Sequence, residues 1–171
     1  MNRRTFVAST GAAALLGRCE SEPQIVAAVA PTKLLIIPDN FHIQNIGRTG
    51  DGRFYWVDTQ LISAPRQATR DYVCTFRFDP DGRLTDHSIE FIGVRGNYPN
   101  GAVGNAIARH VAALGQHSVS EIWVKPFTVE SDGAAFGLIP RQTPSGAWRV
   151  EFMPGNTLSF YPPWDKGGYD T

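Results

Sequence analysis

The chain has 171 residues, 42% of them hydrophobic and 19% charged, with ten Phe, five Tyr and four Trp, the composition of a globular domain with an aromatic core. Sixteen Lys plus Arg balance sixteen Asp plus Glu, so the net charge is zero and no basic stripe marks a nucleic-acid binder. A domain of roughly 140 residues buries about two-thirds of its unfolded surface and folds without a metal or a disulfide framework, and the two cysteines, Cys19 and Cys74, do not supply such a framework.

Met1-Asn2-Arg3-Arg4-Thr5-Phe6-Val7 opens the chain, and a short Ala-rich apolar stretch runs from Phe6 to Gly17. A basic start followed by about a dozen apolar residues is the plan of a signal peptide, too short to span a bilayer as a stable helix. Arg3 and Arg4, with Thr5, Phe6 and Val7 after them, resemble the twin-arginine export signal: paired arginines, a variable residue, Phe, then an aliphatic residue. That resemblance implies a periplasmic or cell-envelope location and export of an already folded domain. Leu15-Leu16-Gly17-Arg18-Cys19 resembles a lipobox, which makes Cys19 the candidate for lipidation, although Arg18 stands where that pattern has a small residue. Two other processing points are Ala28-Val29-Ala30, which Pro31 follows directly, and the bond after Ala28, with Val26 three residues back from it. The organisation expected is an export signal over 1–19, a linker over 20–32 and a single α+β domain over 33–171. Membrane contact then runs only through the export signal or a lipid on Cys19.

Within the domain, Leu34 to Ile37 is a short apolar run ended by Pro38, and Phe41 to Ile46 is a second strand candidate. Gly50-Asp51-Gly52 turns the chain into a third strand, Arg53 to Ile62, rich in β formers. After a loop around Pro65 come a fourth strand, Asp71 to Phe78, and the turn Asp79-Pro80-Asp81-Gly82, in which proline presets φ and glycine closes. Leu84 to Val94 is the fifth strand. The period then changes: Val103, Ile107, Val111 and Leu114 recur at helical spacing between Pro99 and Gly115, with Asn100 as N-cap and Gly115 as the stop. Strands return at Glu121 to Val129, interrupted by Pro126, then at Ala135 to Ile139, Ala147 to Met153 and Thr157 to Tyr161, with turns at Asp132-Gly133, Pro144-Ser145-Gly146 and Pro154-Gly155-Asn156. Short turns imply hairpins, so the fold class expected is α+β: a mainly antiparallel curved sheet of about 8–9 short strands with one packed helix.

No constellation of residues rises to an assignable catalytic or metal site. His42, His87, His110 and His117 lack metal-ligand spacing, and His110 and His117 are expected to face solvent. Asp86, Ser88 and Glu90 share one face of a strand while His87 points to the other, so these neighbours form no triad and read as a polar outer face. Asp79-x-Asp81-Gly82 lacks the later ligands of a calcium loop and reads as a hairpin turn. The Gly-rich stretch Gly96 to Gly104 opens a helix but carries no phosphate-loop ending, and reads as a strand-to-helix connection. Cys74 shares a strand face with Tyr72, Phe76 and Phe78 and reads as an inert core thiol. In the C-terminal segment Phe160 to Thr171, Tyr161 and Trp164 are expected to pack back over the sheet edge; an exposed aromatic surface is the alternative.

The reading favoured is a non-enzymatic module of the cell envelope that binds an unknown protein or small ligand, with no cofactor and no nucleic acid. The first alternative is a hydrolase or transferase site assembled from distant residues, with His42, Asp58 and His87 as its candidates. The second is a cytoplasmic immunity-type or regulatory interaction protein. A deep polar pocket holding a histidine near a carboxylate marks the enzyme, and an exposed aromatic patch without one marks the binder.

Overall fold

The computed structural model describes residues 29–155 and 157–171. Arg3, Arg4 and Cys19, with the export signal and most of the linker, lie outside the described residues. The described residues form twelve strands and one helix: β1 (Leu34–Ile36), β2 (Asn45–Thr49), β3 (Phe54–Ile62), β4 (Arg70–Phe78), β5 (Leu84–Val94), α1 (Ala102–Ala112), β6 (His117–Val119), β7 (Ile122–Val124), β8 (Val129–Ser131), β9 (Ala134–Gln142), β10 (Trp148–Met153), β11 (Ser159–Phe160) and β12 (Tyr169–Asp170).

Every strand pairing is antiparallel. The strands make three sheets, however, rather than the single curved sheet expected: β5-β4-β3-β2-β6, β12-β11-β10-β9-β8, and the small pair β1-β7. The cause is apolar area. Phe54 to Val57 are four successive residues at 3%, 1%, 0% and 1% exposure, so β3 is covered on both faces. One short helix covers one face, and a second sheet covers the other. On the helix side Tyr55, Val57 and Val73 meet Ala106, with Val103, Ile107, Val111 and Leu114 around them. On the opposite side Trp56, Tyr72, Cys74, Phe76 and Phe78 meet Phe136, Leu138, Val150, Phe152 and Phe160. The Trp56 and Phe152 rings stack across that interface at 4.2 Å and 21°. The layers therefore run helix, sheet, sheet, and the β1-β7 pair adds Leu34, Ile36, Ile122 and Val124 to the main core.

The chain passes from the small β1-β7 pair into the second large sheet at Pro126. Between β7 and β8 the Phe127 amide donates to Leu138 O at 3.1 Å, while its ring packs on Phe76 and Phe78 at 4.9 and 5.4 Å. Proline denies the ladder a donor there, and the chain crosses into the second sheet.

Three local expectations change. Phe41 is not in a strand; the chain turns at Asp39 to Ile43 and β2 begins only at Asn45. The helix N-cap is Gly101, in the left-handed region at φ +83°, and no side chain caps it, so Asn100 is not the cap. His110 does not face solvent: its side chain is 9% exposed, between helix and sheet. Other local expectations match. Gly82 N donates to Asp79 O at 2.9 Å to close the β4-β5 turn, and Cys74 is buried on the face of Tyr72, Phe76 and Phe78. Trp164 packs against the main core and its carbonyl accepts from Leu35 N at 2.8 Å, whereas Tyr161 stays 39% exposed.

Candidate functional site

The site that stands out is built on the turn after β1. Pro38 ends the strand, and the carboxylate of Asp39 then does what Asp does at turns: it captures the backbone ahead of it. Its Oδ1 accepts from the amides of Phe41 at 2.7 Å, His42 at 2.8 Å and Ile43 at 3.1 Å, while Asp39 N donates to Ile43 O at 2.8 Å. Ile43 is fully buried and anchors the turn. The tip is thereby pushed outward, and Phe41 is 81% exposed, an unusual position for a large apolar ring.

The far end of the chain completes this corner. Tyr169 on β12 donates its hydroxyl to Asp39 Oδ2. Burial pushes the Asp39 carboxyl up, but the Tyr169 hydroxyl and the three turn amides outweigh it and hold the group down at about 2. Burial, and then the Asp39 carboxylate, push the Tyr169 phenol up to about 12. The His42 ring stands edge-on to Tyr169, with centroids 6.2 Å apart at 87°, and Phe41 lies 6.5 Å from His42 at 34°. An open hollow of about 280 Å³ lies among Phe41, His42, Tyr169, Asp170 and Thr171.

Asp58 belongs to the same region from the inside. Alternation puts it on the Trp56 face of β3, and it accepts from Trp56 Nε1 at 3.2 Å and from Thr59 N at 2.7 Å. Burial raises its carboxyl to about 7 against those two donors, and the charge of Asp39 adds to the rise. Cys74 sits opposite Asp58 in the ladder; burial, and then the Asp58 charge, push its thiol up, which makes it a poor nucleophile.

Of the three residues put forward for a distributed active site, the structure brings His42 and Asp58 into range of one carboxylate, Asp39. It leaves His87 out: His87 is exposed on β5, in the row Trp56, Phe76, His87, with β4 between it and β3. Among the described residues no group of three or more His, Cys, Asp or Glu is placed to hold a metal ion.

A second polar cluster was missed in the sequence. His110 Nδ1 meets Thr75 Oγ1 at 2.7 Å, and its Nε2 meets Glu90 Oε2 at 2.9 Å, while Arg109 binds the other Glu90 oxygen at 2.6 Å. Hydroxyl, imidazole and carboxylate are in line, but Thr75 is 3% exposed in the middle of β4 under the helix, so no substrate reaches it. The cluster fastens α1 to the sheet. A signal for it existed: His110 lies four residues after Ala106 and seven after Val103, on the apolar stripe. The face of β5 that carries Asp86, Ser88 and Glu90 is polar but not an outer face: it lies on the side of α1, where Asp86 binds Arg77 at 2.8 Å and Glu90 is bound by the helix. Another hollow, of about 380 Å³, lies beside the β2-β3 hairpin and the helix end. Its charges are already paired, Arg77 with Asp86 and Arg53 with Asp51 at 3.3 Å.

Comparison of the chain with protein-family models, with curated proteins and with solved structures finds no match.

Proposed function

We propose that this chain is a non-enzymatic binding module of the cell envelope, exported by its twin-arginine leader, and that it meets its partner at the Phe41, His42 and Tyr169 corner. One observation carries the reading: a phenyl ring exposed to 81% stands on a turn whose backbone is fixed by three hydrogen bonds to Asp39. An aromatic anchor on a rigid mount loses little conformational freedom on docking, and such residues dominate binding energy. Ile37 and Tyr161, each 39% exposed, add to the apolar surface the protein presents.

The test is a photo-crosslinking residue at position 41 and, as control, at Asn105 on the exposed side of α1, in cells of the source organism. The reading expects adducts from position 41 that His42→Ala weakens, and none from position 105. Equal labelling from both positions, or none from 41, contradicts it. Location is tested by the mass of the mature N-terminus in fractionated cells. A start near Cys19 or Val29 in the envelope fraction supports export, and an intact chain from Met1 in the cytosol favours the immunity-type alternative.

The enzymatic alternative draws on one observation, a carboxyl at about 7 beside one at about 2, since acid and base pairs in active sites are split in this way. Binding is favoured over it because Asp39 has both oxygens engaged, and because Asp58 does not line the hollow that holds His42.

A further inference from the structure

We infer that the ligand of the Phe41 corner is an organic cation of the quaternary ammonium class, an inference that rests on the binding reading above. Three rings line the hollow: Phe41, His42 and Tyr169, with Tyr169 perpendicular to His42. Aromatic faces carry negative potential, and rings set at an angle around one space are the arrangement that holds a cation. The Tyr169 hydroxyl donates to the Asp39 carboxylate, which moves electron density into its ring and strengthens that face. The charges agree. Asp170 lines the hollow, Asp39 stands behind Tyr169 as an anion, and no Lys or Arg is among the lining residues.

Hydrogen-bond capacity selects the kind of cation. A primary ammonium carries three N–H donors and a guanidinium five, and each wants an acceptor. Asp39 Oδ1 is filled by three amides, Oδ2 takes the Tyr169 hydroxyl and Asp170 Oδ1 takes Thr171 N at 2.9 Å, which leaves Asp170 Oδ2 as the carboxylate oxygen to meet three or five donors. A trimethylammonium group donates no hydrogen bond, so it loses nothing at such a surface and gains ring faces plus a nearby carboxylate. The hollow of about 280 Å³ has room for it.

The test is a titration of the full chain with choline, followed through ring and amide NMR signals of Phe41, His42 and Tyr169. Two comparison compounds are 3,3-dimethylbutan-1-ol, the same shape without charge, and Nα-acetyl-lysine amide, a primary ammonium. Choline is expected to shift the corner signals at millimolar concentration and the neutral isostere to bind roughly tenfold more weakly, the size of one cation–aromatic contact. Phe41→Ala is expected to weaken choline about fivefold, and Asp170→Asn to weaken it in a manner that salt also produces. Equal binding of choline and its isostere overturns the cation assignment and leaves the corner as an apolar binding surface. Tighter binding of the lysine derivative overturns the quaternary assignment. No shift with any compound removes the cation site, while crosslinking from position 41 separately decides whether the corner binds a partner at all.

Discussion

Tyr169 donates its hydroxyl to the carboxylate of Asp39, 130 residues earlier in the chain. That bond fastens the C-terminal strand to the turn that presents Phe41 and His42, so the ends of the described chain meet at the surface where the most exposed aromatic ring among the described residues stands. Asp39 has two tasks in this arrangement, shaping the turn through Oδ1 and receiving Tyr169 through Oδ2.

Tyr169→Phe tests that bond. Hydrogen bonds to charged groups contribute about 1.5–3 kcal/mol, and a loss of that size is expected at neutral pH in chemical denaturation. The acid behaviour gives a second readout. Asp39 is held at about 2, below the ordinary 3.8, so its contribution is complete above pH 3.8 and disappears as pH falls through 2. In the phenylalanine variant the carboxyl rises toward 3.8, so this part of acid destabilisation becomes smaller and is complete at a higher pH.

Asp58 predicts the opposite slope. Its carboxyl is at about 7 in the fold against 3.8 ordinarily, so between those values the folded chain keeps a proton that the unfolded chain has released. Stability contributed by this group therefore falls as pH rises from 3.8 to 7 and levels off above it. Asp58→Asn removes the slope, and above pH 7 the variant gains stability relative to the wild type, on the order of a few kcal/mol. Melting curves from pH 4 to 8 measure it; parallel profiles for the two proteins contradict the assignment.

Much of the fold is legible because its signals are local. The β4-β5 hairpin follows from Asp79-Pro80-Asp81-Gly82, and α1 follows from the spacing of Val103, Ile107 and Val111. The division into three sheets is not, because the deciding pairings, Leu34 with Val124 and Gly47 with Val119, join segments far apart in the chain and carry no turn chemistry. The corner was half legible. Pro38-Asp39-Asn40 is a turn signal, but Phe41 to Ile46 reads as a strand candidate, and Phe41 belongs instead to the turn that Asp39 shapes. Nothing near either residue announces the bond between Tyr169 and Asp39.

The cluster of Thr75, His110 and Glu90 is predicted to be structural. His110→Ala leaves the buried Thr75 hydroxyl without its partner, at a cost of about 1–3 kcal/mol. In that background Thr75→Val is expected to cost less than in the wild type, by roughly 0.5–3 kcal/mol of coupling. A double-mutant cycle by denaturation reads this directly, and additive losses contradict it.

Gly82 is predicted to tolerate no side chain. Its φ is +79°, and a Cβ there falls 2.3 Å from Trp123 O. Its carbonyl also receives Lys125 N at 2.7 Å, so the β4-β5 turn is seated directly on β7. Gly82→Ala combines left-handed strain with a backbone clash and is expected to cost more than about 1–2 kcal/mol. A melting temperature equal to that of the wild type contradicts the seating.

The central claim, that a rigid body presents the Phe41 corner to a partner, is tested most directly by Phe41→Ala read two ways at once. The protein is immobilised, envelope fractions of the source cells are passed over it, and the melting temperature is measured on the same preparation. The account predicts an unchanged melting temperature, because Phe41 is 81% exposed, together with loss of a species that the wild type and Asn105→Ala both retain. Retention by Phe41→Ala of everything the wild type retains contradicts the account.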